Sequence, residues 1–462
     1  MKGLIRSRDR RIVGRFPMIS KTEVIKRLAT LPRSRLPAVA ASVVASVLAG
    51  AVIARDPIVG TLVMVGLVGS CAVLASPYLG WIILAVGAPI VMVAYGQSSV
   101  PTLVMTAVIA ATVAGLQLRR DCEAGPARGA ILAMIGSLIV SVIWGTVMWP
   151  SATTFRDGVL ALVLISVPLL LGVVRLPAQI AERATLLFLS GSLPVAAISA
   201  LEFIRSDSVT AGIASSVETN HNTLGLVYVF GIIAALTVRL PIKSPIGVLL
   251  TRALVCALLA IAIIATFSRS SFLALLATGL VFSFLRGARA APALLALVLV
   301  ALVVVPESVW IHLASTIGLT GTGVDLSSTT RVDLWNAALR MFASSPIVGV
   351  GFQGFSEALP SHWTGTSSGL LLAAGASDYA YAHNIVLTIL ATGGLIGALA
   401  FGWLTARLVA IARRSDEPFR TRGILGLVAA GVASLFGEPV LTTPVIVLLM
   451  LLVPHGERRV SA

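Results

Sequence analysis

The chain has 462 residues, of which 57% are hydrophobic and only 11% are charged, and its mean hydropathy is +0.99. In soluble domains about a quarter of the residues are charged, so a water-soluble globular protein of this size is excluded. The net charge of +15 does not indicate nucleic-acid binding, because eleven of the 34 Lys and Arg residues precede residue 36 and most others flank apolar runs. We therefore expect a multi-pass membrane protein that does not bind nucleic acid.

A basic segment, residues 1–36, precedes the first apolar run. That run is long enough to span a bilayer and is followed by only a weak cleavage site, so we expect a retained anchor. The predicted fold is an all-α polytopic membrane protein with about 12–14 transmembrane helices. Charges, proline and glycine delimit fourteen apolar runs as candidate spans: 37–54, 57–75, 78–95, 100–118, 130–149, 158–174, 184–204, 223–238, 246–267, 271–285, 291–306, 384–406, 423–437 and 441–453. The last two are short, and Gly437-Glu438-Pro439 between them predicts one broken hairpin.

The distribution of basic residues predicts the orientation. With the N-terminus in the cytoplasm, 28 of the 34 Lys and Arg residues fall inside and six fall outside, which is the asymmetry expected of membrane proteins. Both termini are then cytoplasmic. The predicted regions are a basic cytoplasmic segment (1–36), a transmembrane bundle of about eleven spans (37–306), an extracytoplasmic loop (307–383), C-terminal spans (384–453) and a cytoplasmic tail (454–462).

One helix is predicted within the long outer loop. Ser327 and its neighbours offer N-cap hydroxyls, and Pro346 ends the pattern. Because its apolar residues recur at helical spacing, we expect an amphipathic helix lying in the membrane interface; these residues are Val332, Trp335, Leu339 and Phe342. The following residues, 349–354, have the letters GxGxxG but lack the strand and helix of a dinucleotide site, so they predict a turn.

Two of the six outer arginines are candidate ligands for an anion. Arg269 lies in a tight outer turn with no acidic residue nearby in sequence, and a lone cation at membrane depth is costly. Arg331 begins the amphipathic helix, and Asp333, two residues later, does not share its helix face. A structural ion pair for Arg269, and a solvated helix start for Arg331, are the alternatives.

His383 and Glu438 are the candidate proton-transfer groups. His383 ends the outer loop beside Asn384, where the next span begins. Histidine can act as a base near neutral pH, although a lone histidine at a membrane boundary is also a common cap or interface residue. Glu438 lies near the outer end of the final hairpin and is the second candidate for the base. Neither the cysteines nor the histidines have a metal-binding spacing, so no metal site is predicted.

Residues 215–453 resemble the O-antigen ligase and polymerase superfamily of bacterial membrane glycosyltransferases. The first half of the chain matches only in being hydrophobic. The resemblance depends on an ordered set of short segments: Asn220-His221-Asn222-Thr223, Ser268-Arg269-Ser270-Ser271, Arg331-Val332-Asp333-Leu334-Trp335, Ser345-Pro346-Ile347-Val348-Gly349-Val350-Gly351, His383-Asn384, Gly393-Gly394-Leu395-Ile396-Gly397 and Leu435-Phe436-Gly437-Glu438-Pro439.

The resemblance implies an enzyme that uses an undecaprenyl-diphosphate-linked glycan as donor, on the outer face of the bacterial inner (cytoplasmic) membrane, without a metal or other cofactor. A ligase passes the glycan to a lipid or other terminal acceptor, and a polymerase passes it to another lipid-linked repeat unit. It also implies functional roles for Arg269, Arg331 and His383. Two guanidinium groups can hold a diphosphate and a neutral imidazole can take a proton. We assign Asn384 to the diphosphate site and to orientation of the His383 ring.

A transporter or lipid flippase is the alternative from another class. Transporters usually keep polar residues near the bilayer midplane. Here Glu202, Arg269 and Glu438 lie near the predicted outer ends of spans, with Arg252 as the exception. A groove that opens from the outer leaflet onto Arg269 and His383 would favour the enzyme, whereas a central cavity through the body would favour the transporter.

Overall fold

The computed structural model describes residues 77–94, 100–117, 124–205, 221–287, 326–364 and 381–453. Within these ranges it contains thirteen α-helices, two short 3₁₀ turns and no strand. The predicted all-α fold is therefore confirmed for the part of the chain that the structure describes.

The helices follow the apolar runs closely. Eleven of the fourteen predicted spans fall on helices, and the other three (37–54, 57–75 and 291–306) lie outside the described residues, as do residues 1–36 and 454–462. The helices, numbered over the described ranges, are α1 Pro77–Ala94, α2 Val100–Gln117, α3 Arg128–Met148, α4 Ala152–Leu169, α5 Ala178–Arg205, α6 His221–Thr237, α7 Pro245–Ala265, α8 Arg269–Arg286, α9 Leu326–Ser344, α10 Phe355–His362, α11 Ile385–Arg414, α12 Phe419–Ser434 and α13 Thr443–Leu452; 3₁₀ turns occupy Leu170–Val173 and Pro439–Leu441.

Six of the described helices are long and apolar enough to cross a membrane, namely α3, α4 with its following turn, α5, α7, α8 and α11, and four shorter helices are also apolar. Large apolar side chains cover the outside of the bundle. On α7, for example, Leu249, Leu250 and Leu254 are exposed. In water this much exposed apolar surface would be unfavourable, whereas lipid accommodates it. The molecule is thus a multi-pass membrane protein.

The C-terminal hairpin is broken, as the sequence predicts. The helix α12 ends at Ser434, the 3₁₀ turn Pro439–Leu441 follows, and α13 begins at Thr443. All ten residues of α13 are buried, and this short helix contacts α1, α4, α5, α6 and α12. In the break itself Gly437, Glu438 and Pro439 are buried, as irregular backbone within a membrane requires.

A non-helical segment, residues 345–354, is inserted between α3 and α11. The helix α11 is interrupted at Gly394, which has a φ of 57°, and the interruption frees carbonyl groups in the preceding turn. The amide of Val350 donates to the carbonyl of Ala391 at 2.8 Å, and that of Gly351 donates to Thr392 at 3.1 Å. The predicted turn at 349–354 is confirmed, and it also satisfies the backbone of a broken membrane helix.

The inserted segment, residues 345–354, is fastened to α3 on its other side. Gly351 packs so closely that a Cβ there would lie 2.2 Å from the Cα of Gly145, so only glycine fits. The indole nitrogens of Trp144 and Trp149 donate to the carbonyls of Gly349 and Val350, both at 3.1 Å. The segment is therefore a fixed part of the fold.

The predicted amphipathic helix is confirmed as α9, Leu326–Ser344. It has two apolar faces. Leu334, Ala337 and Met341 are buried in a cluster with α10 and the start of α11. Val332 and Leu339 point away from this cluster and are half exposed. Of the four residues predicted to face the membrane interface, Val332 and Leu339 lie on the outward face, whereas Trp335 packs against the buried cluster. The placement of the helix in the interface stays a prediction.

A buried ion pair joins three helices at the start of α12. The Arg422 side chain is fully buried, and its Nη2 donates to Glu182 at 2.7 Å. Its other nitrogens donate to the hydroxyls of Thr185 at 3.0 Å and Thr237 at 3.1 Å. Glu182 and Thr185 lie on α5 and Thr237 ends α6, so Arg422 fixes α5, α6 and α12 together.

Candidate active site

His383 lies in the turn that leads into α11. Its backbone has a φ of 54°, a left-handed conformation that non-glycine residues seldom adopt. The next residue, Asn384, is the N-cap of α11, and its Oδ1 accepts hydrogen bonds from the amides of Val386 and Leu387 at 3.0 and 3.2 Å. The helix start thus determines where His383 is held.

Asn384 also ties this turn to the broken hairpin. Its Nδ2 donates to the carbonyl of Leu435 at 3.2 Å. The oxygen and the nitrogen of the Asn384 amide are thus both hydrogen-bonded to backbone groups. Among the described residues, no hydrogen bond joins this amide to the His383 ring. This use of the side chain, as a helix cap and as a hydrogen-bonded link to Leu435, was not predicted from the sequence.

The same arrangement brings together the two predicted proton-transfer residues. His383 Nδ1 lies 3.6 Å from Oε2 of Glu438; the His383 side chain is 41% exposed and that of Glu438 is 8% exposed. The distance is longer than a hydrogen bond. A half-exposed imidazole therefore faces a buried carboxylate across a gap that a protonated ring could close.

Thr388, which the sequence analysis did not single out, fixes the carboxylate. Its Oγ1 donates to Oε1 of Glu438 at 2.8 Å and accepts from the amide of Ala382 at 3.1 Å. One buried hydroxyl therefore joins the turn before His383 to Glu438. The only signal in the sequence is its position four residues after Asn384, which places both on the same helix face.

The inserted segment, residues 345–354, supports the turn from its other side. Gln353 Nε2 donates to the hydroxyl of Tyr381 at 3.3 Å, and the rings of Phe352 and Tyr381 lie 6.3 Å apart between centroids. The backbone of residues 381–384 is thus held by the inserted segment, by α11 and by the broken hairpin.

Arg269 begins α8, directly after the N-cap residue Ser268. The hydroxyls of Ser268 and Ser270 both donate to Oδ1 of Asn222, at 2.8 and 3.2 Å. Asn222 is at the start of α6. The serines on either side of Arg269 thus anchor it to the start of α6.

The position of α6 shows on which end of the bundle Arg269 lies. Thr237, at the end of α6, contacts Arg422 at the start of α12, and the two helices pack together. They are therefore antiparallel, and the start of α6 lies near the end of α12, which precedes Glu438. Arg269 lies at the same end of the bundle as Glu438 and His383.

Arg331 is in the first turns of α9. Leu334, one turn later, is buried in the same cluster as Ala382, which precedes His383. Arg331 thus also lies toward the start of α11. Both Arg269 and Arg331 already interact with other groups of the chain, so their candidacy depends on their position and chemistry rather than on a lack of partners.

An apolar cavity of about 270 Å³ begins beside this turn. Its wall includes Ile385 and Val386 from the first turn of α11, and Leu435 and Val440, which flank Glu438 in sequence. It continues along α11 to Leu408 and is also lined by α3, α4, α12 and α13. None of the described residues that line this cavity is charged, so it suits a hydrocarbon chain.

Within the described ranges, no three His, Cys, Asp or Glu side chains are grouped so that they could hold a metal ion. Around His383 the described residues offer an imidazole, a buried carboxylate and an apolar cavity, and the guanidinium groups of Arg269 and Arg331 lie toward the same end of the bundle.

Comparison with known proteins relates one stretch of the chain to a known family. No curated protein matches the chain. Residues 254–402 match the sequence model of the O-antigen ligase family. This stretch contains Arg269, Arg331, His383 and Asn384, whereas Glu438 lies beyond it. This stretch of the chain is therefore similar to the O-antigen ligase family, and the predicted resemblance to the O-antigen ligase superfamily is confirmed over it.

Proposed function

We propose that this protein moves a glycan from an undecaprenyl-diphosphate-linked donor onto an acceptor at the outer face of the bacterial inner membrane. The family match supports the broader class, a membrane glycosyltransferase of the ligase or polymerase type. The observation that carries the finer proposal is the position of His383, half exposed beside the carboxylate of Glu438 and next to an apolar cavity. An acceptor hydroxyl and a lipid tail can meet there.

In the proposed reaction, His383 takes the proton of the acceptor hydroxyl as its oxygen bonds to the anomeric carbon. The bond from that carbon to the phosphate oxygen breaks, and undecaprenyl diphosphate leaves with the electron pair. Arg269 and Arg331 bind the diphosphate, because guanidinium groups pair bidentately with phosphate and keep their charge at every working pH. Asn384 contributes the second N–H of its amide. The same contacts stabilise the charge on the departing group.

The cavity supports a lipid-linked donor. At about 270 Å³ it is slightly smaller than typical small-molecule sites, which begin near roughly 300 Å³. It would therefore hold only the isoprene units next to the diphosphate, and the rest of the tail would lie among membrane lipids. The direction of the cavity, from His383 along α11, matches a donor whose head lies at the membrane surface.

The polymerase reaction, in which a second lipid-linked repeat unit is the acceptor, uses the same groups and is the second candidate. A transporter or flippase is less well supported. A diphosphate crossing the bilayer needs polar groups along its path, and this cavity has no charged lining.

Deletion of the gene followed by analysis of envelope glycans tests the function. Loss of a transferred glycan with accumulation of lipid-linked polymer would identify a ligase. Shorter glycan chains would identify a polymerase. Unchanged glycans together with unchanged lipid-linked intermediates would contradict both.

Cysteine labelling tests the proposed side of the membrane. In a chain with Cys71, Cys122 and Cys256 replaced, a membrane-impermeant maleimide should label Glu357→Cys in intact cells or spheroplasts and label Arg413→Cys only after lysis. Both positions are exposed. The reverse pattern would place the site on the cytoplasmic side.

The proposed reaction needs no metal ion. Turnover by the purified protein in excess EDTA should therefore equal turnover without EDTA. A loss of activity that added Mg²⁺ or Mn²⁺ restores would contradict this part of the proposal.

A further inference from the structure

We infer that Glu438 is a positioning residue, which holds His383 by Nδ1 so that Nε2 faces the acceptor hydroxyl, and that Thr388 holds Glu438 in place. The inference depends on the proposed function and deepens it, because it explains how a histidine in an exposed turn is kept in one orientation. It assigns Glu438 a role through His383 rather than a direct role as base.

The two oxygens of the Glu438 carboxylate have different partners. Oε1 accepts a hydrogen bond from Thr388 at 2.8 Å, and Oε2 lies 3.6 Å from His383 Nδ1. A carboxylate buried to this degree is unfavourable unless it is hydrogen-bonded or paired. Thr388 fixes one oxygen, which leaves the other directed at the imidazole.

The carboxylate also favours one tautomer of the His383 ring. A neutral imidazole has one N–H donor and one acceptor nitrogen. A carboxylate beside Nδ1 favours the N–H at that position, so the lone pair is on Nε2, where it can accept a proton. After proton transfer the ring is an imidazolium, and Glu438 stabilises its charge. The 3.6 Å gap is expected to shorten at that stage, since charge-assisted hydrogen bonds are shorter.

The two side chains also differ in their exposure to solvent. The Glu438 side chain is 8% exposed and the His383 side chain is 41% exposed. An acceptor hydroxyl can reach the ring from solvent, but it cannot reach the carboxylate without displacing Thr388 or the ring. Glu438 is therefore placed to act on His383 and not on the substrate.

The backbone supports the same reading. His383 has a φ of 54°, and a residue in this region is retained only where its surroundings hold it. The hydrogen bond from the Ala382 amide to Thr388 Oγ1 connects the turn to the hydroxyl that also holds Glu438. The backbone and the ring of His383 are thus fixed through one threonine.

A double-mutant cycle tests the inference. Purified wild type, Glu438→Gln, His383→Ala and the double variant are assayed in lipid with a synthetic polyprenyl-diphosphate-linked donor. Glu438→Gln should lower kcat roughly 10–10²-fold, part of the general-base contribution of about 10²–10⁴-fold, with the KM for the donor unchanged. In the His383→Ala background, the same substitution should change kcat less than about twofold, because Glu438 then has no ring to hold. The free-energy effects of two substitutions add within a few tenths of a kcal/mol when the sites are independent, and fail to add when the sites are coupled.

Thr388 supplies the matched variants. Thr388→Val should lower kcat by less than Glu438→Gln does, and this fall should also vanish in the His383→Ala background. Thr388→Ser retains the hydroxyl and should recover most of the kcat that Thr388→Val loses. Thermal unfolding of each variant checks its fold. Equal losses in both backgrounds would overturn the inference, as would an active His383→Ala enzyme that Glu438→Gln inactivates, which would make Glu438 the base. A wild-type protein that transfers nothing from the lipid-linked donor would instead contradict the proposed function.

Discussion

At each end of α12 a basic side chain lies beside a carboxylate, and the two pairs differ in burial and in distance. At the start of α12, Arg422 is fully buried and lies 2.7 Å from Glu182. Beyond its other end, roughly 20 Å away, His383 is half exposed and lies 3.6 Å from Glu438. The first pair is closed, and the second is open to solvent on the side of the histidine.

The surroundings of each pair explain the contrast. Each of the three Arg422 nitrogens donates a hydrogen bond, to two threonines and Glu182, so no ligand can approach without breaking the packing of three helices. At the other end, hydrogen bonds hold the carboxylate and the turn before His383, while the imidazole ring is half exposed. The buried Arg422–Glu182 pair therefore fixes helices, whereas the His383–Glu438 pair leaves the imidazole accessible to a substrate. Substitutions at the two ends should therefore affect different properties.

The largest expected effect is that of His383→Ala on turnover. Loss of the base should lower kcat by about 10²–10⁴-fold, while the unfolding temperature stays near that of wild type because the ring is half exposed. Steady-state kinetics and thermal unfolding in detergent measure both. A variant with normal kcat would remove His383 from the reaction.

Arg422→Ala should have the opposite profile. Removal of one partner of a buried pair costs about 3–5 kcal/mol, and we expect the lower part of that range because Glu182 is partly exposed. The rate per folded molecule should be unchanged. Denaturant unfolding is the measurement, and Arg407→Ala, which removes only a hydrogen bond to the carbonyl of Pro126, is the control. Loss of turnover at full stability would contradict the contrast between the two ends.

The smallest expected effect is that of replacing either candidate diphosphate ligand by lysine. Arg269→Lys and Arg331→Lys keep the charge but lose the planar fork. We expect the KM for the donor to rise about tenfold, which corresponds to about 1.4 kcal/mol. Arg156→Lys is the matched control, because Arg156 is exposed and pairs with Asp157. A change in KM as large in the control would show that arginine is not specifically required at positions 269 and 331.

The sequence predicted the helices well because length and apolar composition decide which segments can span a membrane. The hairpin break at Gly437-Glu438-Pro439 was also visible, since glycine and proline interrupt helices. The inserted segment, residues 345–354, was predicted only as a turn. Its partners lie far away in the chain; for instance, the Ser141 hydroxyl donates to the carbonyl of Thr392, 251 residues later. Local patterns contain no information on such pairing.

The candidate site shows the same limit. His383 and Glu438 were both selected from the sequence, but as rival candidates for one role, because nothing in the sequence indicated that they face each other. The link through Thr388 joins residues fifty positions apart. Asn384 was expected to orient the ring, whereas its amide caps α11 and holds Leu435. Residue types were predictable, and their mutual arrangement required the tertiary structure.

The most direct test of the account is the initial rate against pH for the purified protein in lipid, with a synthetic polyprenyl-diphosphate-linked donor, for wild type and His383→Arg. A base must be neutral before it accepts a proton, so the wild-type rate should rise with pH, and His383→Arg should be inactive at every pH. A rate that falls over the same range, or an active His383→Arg enzyme, would show that His383 binds phosphate as a cation and that the proton of the acceptor goes elsewhere.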